Sequence, residues 1–300
     1  METEQLIKDI LKLKKEKNAV ILCHNYQPKE HYEVADYIGD SLELARAAAK
    51  TDADIILFAG VDFMAESAKI LSPNKKVLLP VKDATCPMAA MADTESIKKL
   101  KQEHPNAVVV AYVNTTADVK AESDISCTSA NAVKVVNSLE ENEIICTPDI
   151  NLGRYIQKNT DKKIILWKGH CYVHSTITPE FVKEAKKAHP DALILAHPEC
   201  IPEVLDMADH IASTSGMIRF AKTTEAKEMI ILTEEGMVNA LKRECPDKIF
   251  YSSGKVCIDM KKINLENIKN ALENEVHEIQ IPEDIRLRAE KSVRRMMDLK

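Results

Sequence analysis

Short apolar runs of four to six residues, rich in Val, Ile and Leu, alternate along the chain with longer stretches whose apolar positions recur at helical spacing. A run of that length and composition reads as a strand buried on both faces. Between the runs, Leu42, Leu44, Ala45, Ala48 and Ala49 form one apolar stripe. MADTESIKKLKQEHPNA from Met91 and TPEFVKEAKKAHPDA from Thr178 form two more helical patterns, each with a capping residue near its start and a His-Pro stop. Strands alternating with helices predict parallel sheets joined by right-handed crossovers.

The pattern occurs three times. AVILCHNY from Ala19, AVVVAYVN from Ala107 and ALILAHPE from Ala192 align without gaps, at offsets of 88 and 85 residues. In that register His24, Tyr112 and His197 are equivalent, as are Tyr26, Asn114 and Glu199. Asp36, Asp124 and Asp209 follow in step, then Ser41, Ser129 and Thr214. A second apolar run starts at Ile55, Ile144 and Met229, and a third at Val77, Ile164 and Ile249 leads to Cys86, Cys171 and Cys257. A period of about 85 residues is too long for a solenoid unit and suits three small domains in tandem.

The expected fold is therefore α/β, with three domains related by a pseudo-threefold axis, each a small parallel three-stranded βαβαβ sandwich. Their expected bounds are residues 1–87, 88–172 and 173–260. The tail, 261–300, carries two helical stretches, the last with Ile285, Ala289, Val293 and Met296 at core spacing. Lacking strands of its own, it is expected to pack on the first unit.

Composition narrows the class. With 300 residues and 45% hydrophobic content the chain can bury sizeable cores. No apolar stretch approaches a bilayer span, and METEQLIKDILKLKKEK at the N-terminus is an amphipathic helix without a signal-peptide core, so a cytoplasmic location is expected. A net charge of -6 and 4% aromatic residues offer neither a basic stripe nor a stacking platform for nucleic acid. Eight cysteines in so long a chain are no disulfide framework, and in a reducing compartment repeated thiols point to metal or catalysis.

Ligands of open parallel sheets sit at the carboxyl ends of the strands. His24 with Tyr26, Tyr112 with Asn114, and His197 with Glu199 all fall just past a first strand, and the cysteines fall past a third. With those ends facing inward, all nine side chains converge on one site. Ser41, Ser129 and Thr214 each precede a helical pattern, where a hydroxyl caps the first turn and the dipole favours an anion. A ligand with carboxylates or a phosphate follows.

Taken singly, His24 or His197 is better explained as a structural histidine, and the three hydroxyls as ordinary caps. The shared register changes that balance, because core packing does not place polar groups at equivalent positions three times. Cys23, Cys127, Cys146, Cys200 and Cys245 have no such equivalents and read as small buried hydrophobes or free thiols.

Three thiolates with a fourth ligand suit zinc, but structural zinc usually draws on C-x-x-C pairs, which this chain lacks. An iron-sulfur cluster tolerates wide spacing. A 4Fe-4S cluster normally takes four thiolates, so three leave one iron open to act as a Lewis acid.

HNYQ at His24, GDSLELA at Gly39, FMAESAKIL at Phe63, TCPMA at Thr85, YVNTTADVKAESD at Tyr112, HPEC at His197, STSGM at Ser213 and CIDMKKI at Cys257 together resemble the quinolinate synthase family, the A protein of de novo NAD biosynthesis. The resemblance runs the whole length of the chain. It implies three homologous α/β domains and a 4Fe-4S cluster held by one cysteine from each, here Cys86, Cys171 and Cys257. The implied reaction condenses iminoaspartate with dihydroxyacetone phosphate to quinolinate, losing phosphate and two waters. An iminoaspartate-supplying aspartate oxidase or dehydrogenase is the implied partner. The stretch from Cys245 to Cys257 lacks the extra cysteines of one form of the family, so no disulfide switch is implied.

Each step of such a condensation moves a proton. Glu199 and Tyr26, facing the open iron, are the candidates for proton transfer. His24, Tyr112, Asn114 and His197 are expected to orient carboxylates and carbonyl, with His24, Tyr112 and His197 in the catalytic set. Ser41, Ser129 and Thr214 with Ser215 are expected to hold carboxylate or phosphate. A cluster-dependent hydro-lyase acting on a small hydroxy acid and a non-enzymatic iron-sulfur sensor remain as rivals. A dinucleotide site is disfavoured, since the seven glycines form no G-x-G-x-x-G.

Overall fold

The computed structural model describes residues 2–299. It contains three parallel sheets of one topology. The first holds β1 (Ala19–His24), β2 (Tyr37–Gly39), β3 (Ile55–Ala59) and β4 (Lys76–Leu78). The second holds β5 (Val108–Tyr112), β6 (Ile125–Cys127), β7 (Glu143–Thr147) and β8 (Lys163–Leu166). The third holds β9 (Leu193–Ala196), β10 (His210–Ile211), β11 (Glu228–Leu232) and β12 (Ile249–Ser252). In each the spatial order places the second strand at one edge, then the first, third and fourth. The chain is α/β as the alternating pattern predicts, and the buried runs Ile55–Ala59 and Val108–Tyr112 are covered on both faces.

Each sheet has four strands where three were expected. The extra strands, β2, β6 and β10, are two or three residues long, too short to show a hydrophobic period. What seats them is the in-register aspartate. Asp36, Asp124 and Asp209 each accept, through Oδ2, the amide of Ile21, Val109 or Ile194 at 2.8 Å. The aspartate amides return the bond to the same three carbonyls at 2.9, 3.0 and 2.9 Å. The repeated aspartate thus closes the edge of each sheet.

The tail divides. Helix Leu265–Asn274 packs on helix Glu2–Glu16 and on β3, tied by Lys269 to Asp9 at 2.7 Å. Helix Glu283–Asp298 instead lies mainly against helix Ala117–Ala121 and β6, and also against helix Asp62–Leu71. The expectation that the tail rests on the first unit is corrected for this last helix. Ala289, Val293 and Met296 do form its buried face, but that face meets helices that follow strands of two different sheets, and the buried hydroxyls of Ser126 and Ser292 meet at 2.8 Å. Among the described residues no helix is long and apolar enough to cross a membrane.

Candidate active site

The carboxyl ends of the three sheets surround one cavity, with about 620 Å³ of empty space when its opening to solvent is included. His24, Tyr26, Ser41, Cys86, Tyr112, Asn114, Ser129, Cys171, His197, Glu199, Thr214 and Cys257 all border it, so twelve of the thirteen residues singled out from sequence converge. Ser215 does not. Its hydroxyl donates to Glu43 Oε2 and ties helix Thr214–Thr223 to helix Ser41–Lys50.

The helix caps differ from expectation. Asp40, not Ser41, caps Ser41–Lys50, accepting the amides of Leu42 and Glu43 at 3.1 and 3.0 Å, while Glu43 returns a bond to the Asp40 amide. Ser213, not Thr214, caps Thr214–Thr223. Asn131 occupies the cap of Ala132–Asn137, leaving Ser129 on the preceding turn. A carboxylate, an amide or another hydroxyl one or two residues away from the repeated position supplies or occupies the cap. The Ser41 and Thr214 hydroxyls, relieved of capping, border the cavity instead.

Sequence analysis missed His174. It lies three residues past Cys171, where the other units have Ala89 and Met260, so a search for residues shared by all three repeats discards it. Its Nδ1 stands 2.8 Å from Glu199 Oε2, and both side chains are buried. Its Nε2 lies 2.8 Å from Thr233 Oγ1, which is 2.6 Å from the Tyr26 phenol. With Nδ1–H donating to Glu199, Nε2 accepts from the Thr233 hydroxyl, and that hydroxyl accepts from Tyr26. A continuous chain of four polar groups results.

His197 completes the other side. Its Nδ1 is 3.3 Å from Glu199 Oε2, and its Nε2 is 3.1 Å from Ser129 Oγ. Burial alone would push the Glu199 carboxyl up, but His174 and His197 hold it below the ordinary carboxylate range. Burial lowers the basicity of the His24 ring to about 3 and also lowers that of His197. Burial, reinforced by the Glu199 charge, raises both Tyr26 and Tyr112 well above the usual phenol value. The two phenols therefore stay protonated at neutral pH.

The same wall carries the thiols. All eight cysteines are free, and Cys86, Cys171 and Cys257 are the three that border this cavity. Burial is the largest cause raising each of these thiols, Cys86 to about 12, so a metal would have to displace the protons. Two buried oxygens on the same cavity, Asn114 Oδ1 and Glu199 Oε1, have no hydrogen-bond partner. Buried polar atoms are normally paired, so the cavity is made for a polar occupant. Soft thiol donors fit an iron-sulfur or zinc centre better than a hard oxygen-seeking cation. One sulfur is also part of a smaller group, since ligand atoms of Cys171, His174 and Glu199 lie within 4.8 Å of one another and could hold a metal ion.

Comparison with known proteins decides the family. The model of the Quinolinate synthetase A protein family matches residues 8–298. The chain belongs to the quinolinate synthetase A protein family. Quinolinate synthase 2 of Methanosarcina acetivorans is 54% identical over 301 residues, covering 100% of this chain and 97% of that protein. Quinolinate synthase of Methanoregula boonei is 52% identical over 300 residues, 99% of each chain. That of Thermodesulfovibrio yellowstonii is 52% identical over 296 residues, 98% of each. Membership of this enzyme family weighs against the sensor reading, which has no use for the buried acid and base groups joined from Tyr26 to Glu199.

Proposed function

We propose that this chain condenses iminoaspartate with dihydroxyacetone phosphate to quinolinate, releasing phosphate and two waters, in a cavity where Cys86, Cys171 and Cys257 hold a 4Fe-4S cluster. The reading takes residues 1–87, 88–172 and 173–260 as three domains sharing that site, and an aspartate oxidase or dehydrogenase as the source of iminoaspartate. The observation that carries it is the pairing of three free thiols with a buried acid-base chain on one cavity. The names of the relatives agree. When bound, the cluster would supply Lewis acidity toward a substrate hydroxyl or carboxylate through its open iron.

The remaining work falls to side chains. Glu199, kept ionised by its histidines, orients the Nδ1–H of His174 as the carboxylate of a catalytic triad does, so the proton-transfer unit is the His174–Glu199 pair. Tyr26, protonated by burial, reaches that pair through Thr233 and serves as a proton donor. Tyr112 is a second protonated donor toward a substrate carbonyl. His24, His197 and the free Asn114 Oδ1 orient substrate. Ser41, Ser129 and Thr214 offer hydroxyls to carboxylate or phosphate, while Ser215 acts at one remove by fixing its helix to Glu43.

The test is anaerobic reconstitution with iron and sulfide, followed by an iron count and a product assay. Quinolinate formed only when both iminoaspartate and dihydroxyacetone phosphate are present supports the proposal. An iron-loaded protein that ignores both and dehydrates a small hydroxy acid would establish the hydro-lyase reading instead.

A further inference from the structure

Each cysteine that borders the cavity gives its backbone amide to a carboxylate lying two or three residues past its sheet's third strand in sequence. Cys86 N donates to Asp62 Oδ1 at 3.2 Å, Cys171 N to Asp149 Oδ2 at 3.0 Å, and Cys257 N to Glu234 Oε1 at 3.2 Å. A second link recurs beside it. The amides of Asp62, Ile150 and Glu235 donate to the carbonyls of Ala84, Gly169 and Lys255, each two residues before the cysteine, at 2.9, 2.8 and 2.8 Å. The loops approach closely, for a Cβ on Gly169 would lie 2.4 Å from the Pro148 carbonyl oxygen. Asp149 and Glu234 are almost wholly buried.

We propose that Asp62, Asp149 and Glu234 are positioning residues that lock the three cysteine loops in the convergent arrangement a metal centre needs. The inference rests on the metal reading above. The three cysteines lie outside any strand and are each only partly buried, so their backbone needs fixing from elsewhere. Without a fixed anchor, the sulfur would sample positions from which it cannot share a centre with the other two. Outer partners that hold a ligating loop in this way tune metal affinity by roughly 10- to 100-fold.

The three anchors are not interchangeable, and that makes the proposal sharp. Asp62 uses one oxygen, Oδ1, for both the Cys86 amide and its second partner, the amide of Phe63 at 2.8 Å. Asp149 divides the work, with Oδ1 on Leu152 N at 2.6 Å and Oδ2 on Cys171 N. Glu234 divides it too, with Oε2 on Gly236 N at 2.7 Å and Oε1 on Cys257 N, while Lys261 lies 2.9 Å from Oε1. A carboxamide keeps one accepting oxygen. Asp62→Asn can therefore retain both bonds, whereas Asp149→Asn and Glu234→Gln must each lose one of their two.

The experiment compares wild type, Asp62→Asn, Asp149→Asn and Glu234→Gln after anaerobic reconstitution with iron and sulfide. It reads iron and sulfide content, the rate at which a chelator bleaches the visible absorption, and the unfolding temperature of the metal-free protein. We expect Asp62→Asn to behave as wild type, and the other two to lose iron at least about tenfold faster with little change in metal-free unfolding. Equal iron retention in all four overturns the inference. So does an Asp149→Asn or Glu234→Gln chain whose metal-free form is itself unfolded or strongly destabilised, because the carboxylate is then merely structural. A wild type that takes up no iron and sulfide overturns the metal reading first and this inference with it.

Discussion

Glu199 Oε2 and His174 Nδ1 lie 2.8 Å apart in the buried wall of the cavity, and His174 in turn stands on the helical turn that begins at Cys171. One short segment therefore carries both a candidate metal ligand and half of the proposed acid-base pair. On the proposed function, metal loading and proton transfer are separable only by substitutions that leave this turn intact.

Glu199→Gln is such a substitution. It preserves size and most hydrogen bonding but removes the charge that orients His174. Quinolinate formation should fall by roughly 10² to 10⁴, the usual contribution of general acid-base groups, with iron content unchanged. A rate near wild type would remove Glu199 from proton transfer and leave Tyr26 as the better candidate.

The link from Tyr26 to His174 runs through Thr233, so Tyr26→Phe and Thr233→Val should interrupt the same path. Groups that act as one unit are strongly non-additive. The double variant should be about as slow as the slower single variant. Multiplicative losses in kcat would show that the two side chains act independently.

Replacing Cys86, Cys171 or Cys257 by Ala should each abolish the broad visible absorption of the reconstituted protein. Cys23→Ala and Cys146→Ala, whose thiols are buried away from the cavity lining, should keep it. Retention of a full cluster in Cys171→Ala would refute the assignment of the three ligands.

His31 gives a stability test away from the cavity lining. It is buried, with Nδ1 3.0 Å from Gln27 Oε1 and the charges of Glu30 and Lys261 nearby, and burial lowers its ring to about 4. An unfolded histidine binds its proton near the ordinary value, so protonation favours unfolding. This contribution is complete above about pH 6.5 and is lost as the pH falls toward 4. The span corresponds to on the order of 3 kcal/mol. Urea unfolding of metal-free wild type should therefore weaken faster from pH 7 to 5 than that of His31→Gln, whose amide can still donate to Gln27. Parallel slopes would show that His31 takes its proton in the folded state without cost.

Much of this arrangement is legible in the sequence alone. Strict repetition exposed His24, Tyr112 and His197, their partners two residues on, and the three cysteines, because topologically equivalent loops end at equivalent places. The same filter hid His174, whose counterparts are Ala89 and Met260, and Thr233, which repeats nothing that was recognised. It also hid Asp62, Asp149 and Glu234, which sit at slightly different distances past their strands and differ in length. The aspartates at 36, 124 and 209 were visible but mute, since nothing in a sequence tells a strand-edge anchor from a ligand.

The sequence by itself determined the parallel α/β architecture, the threefold repetition and the residues gathered at the strand ends, because hydrophobic period and register are local properties written along the chain. Tertiary structure alone decided three further matters. Helix Glu283–Asp298 lies mainly on helix Ala117–Ala121 and β6, Asp40 and Ser213 displace Ser41 and Thr214 as caps, and His174 is brought within 2.8 Å of Glu199. Each depends on which of several chemically suitable groups arrives at a hydrogen-bonding distance once distant segments pack, and that competition is settled in space.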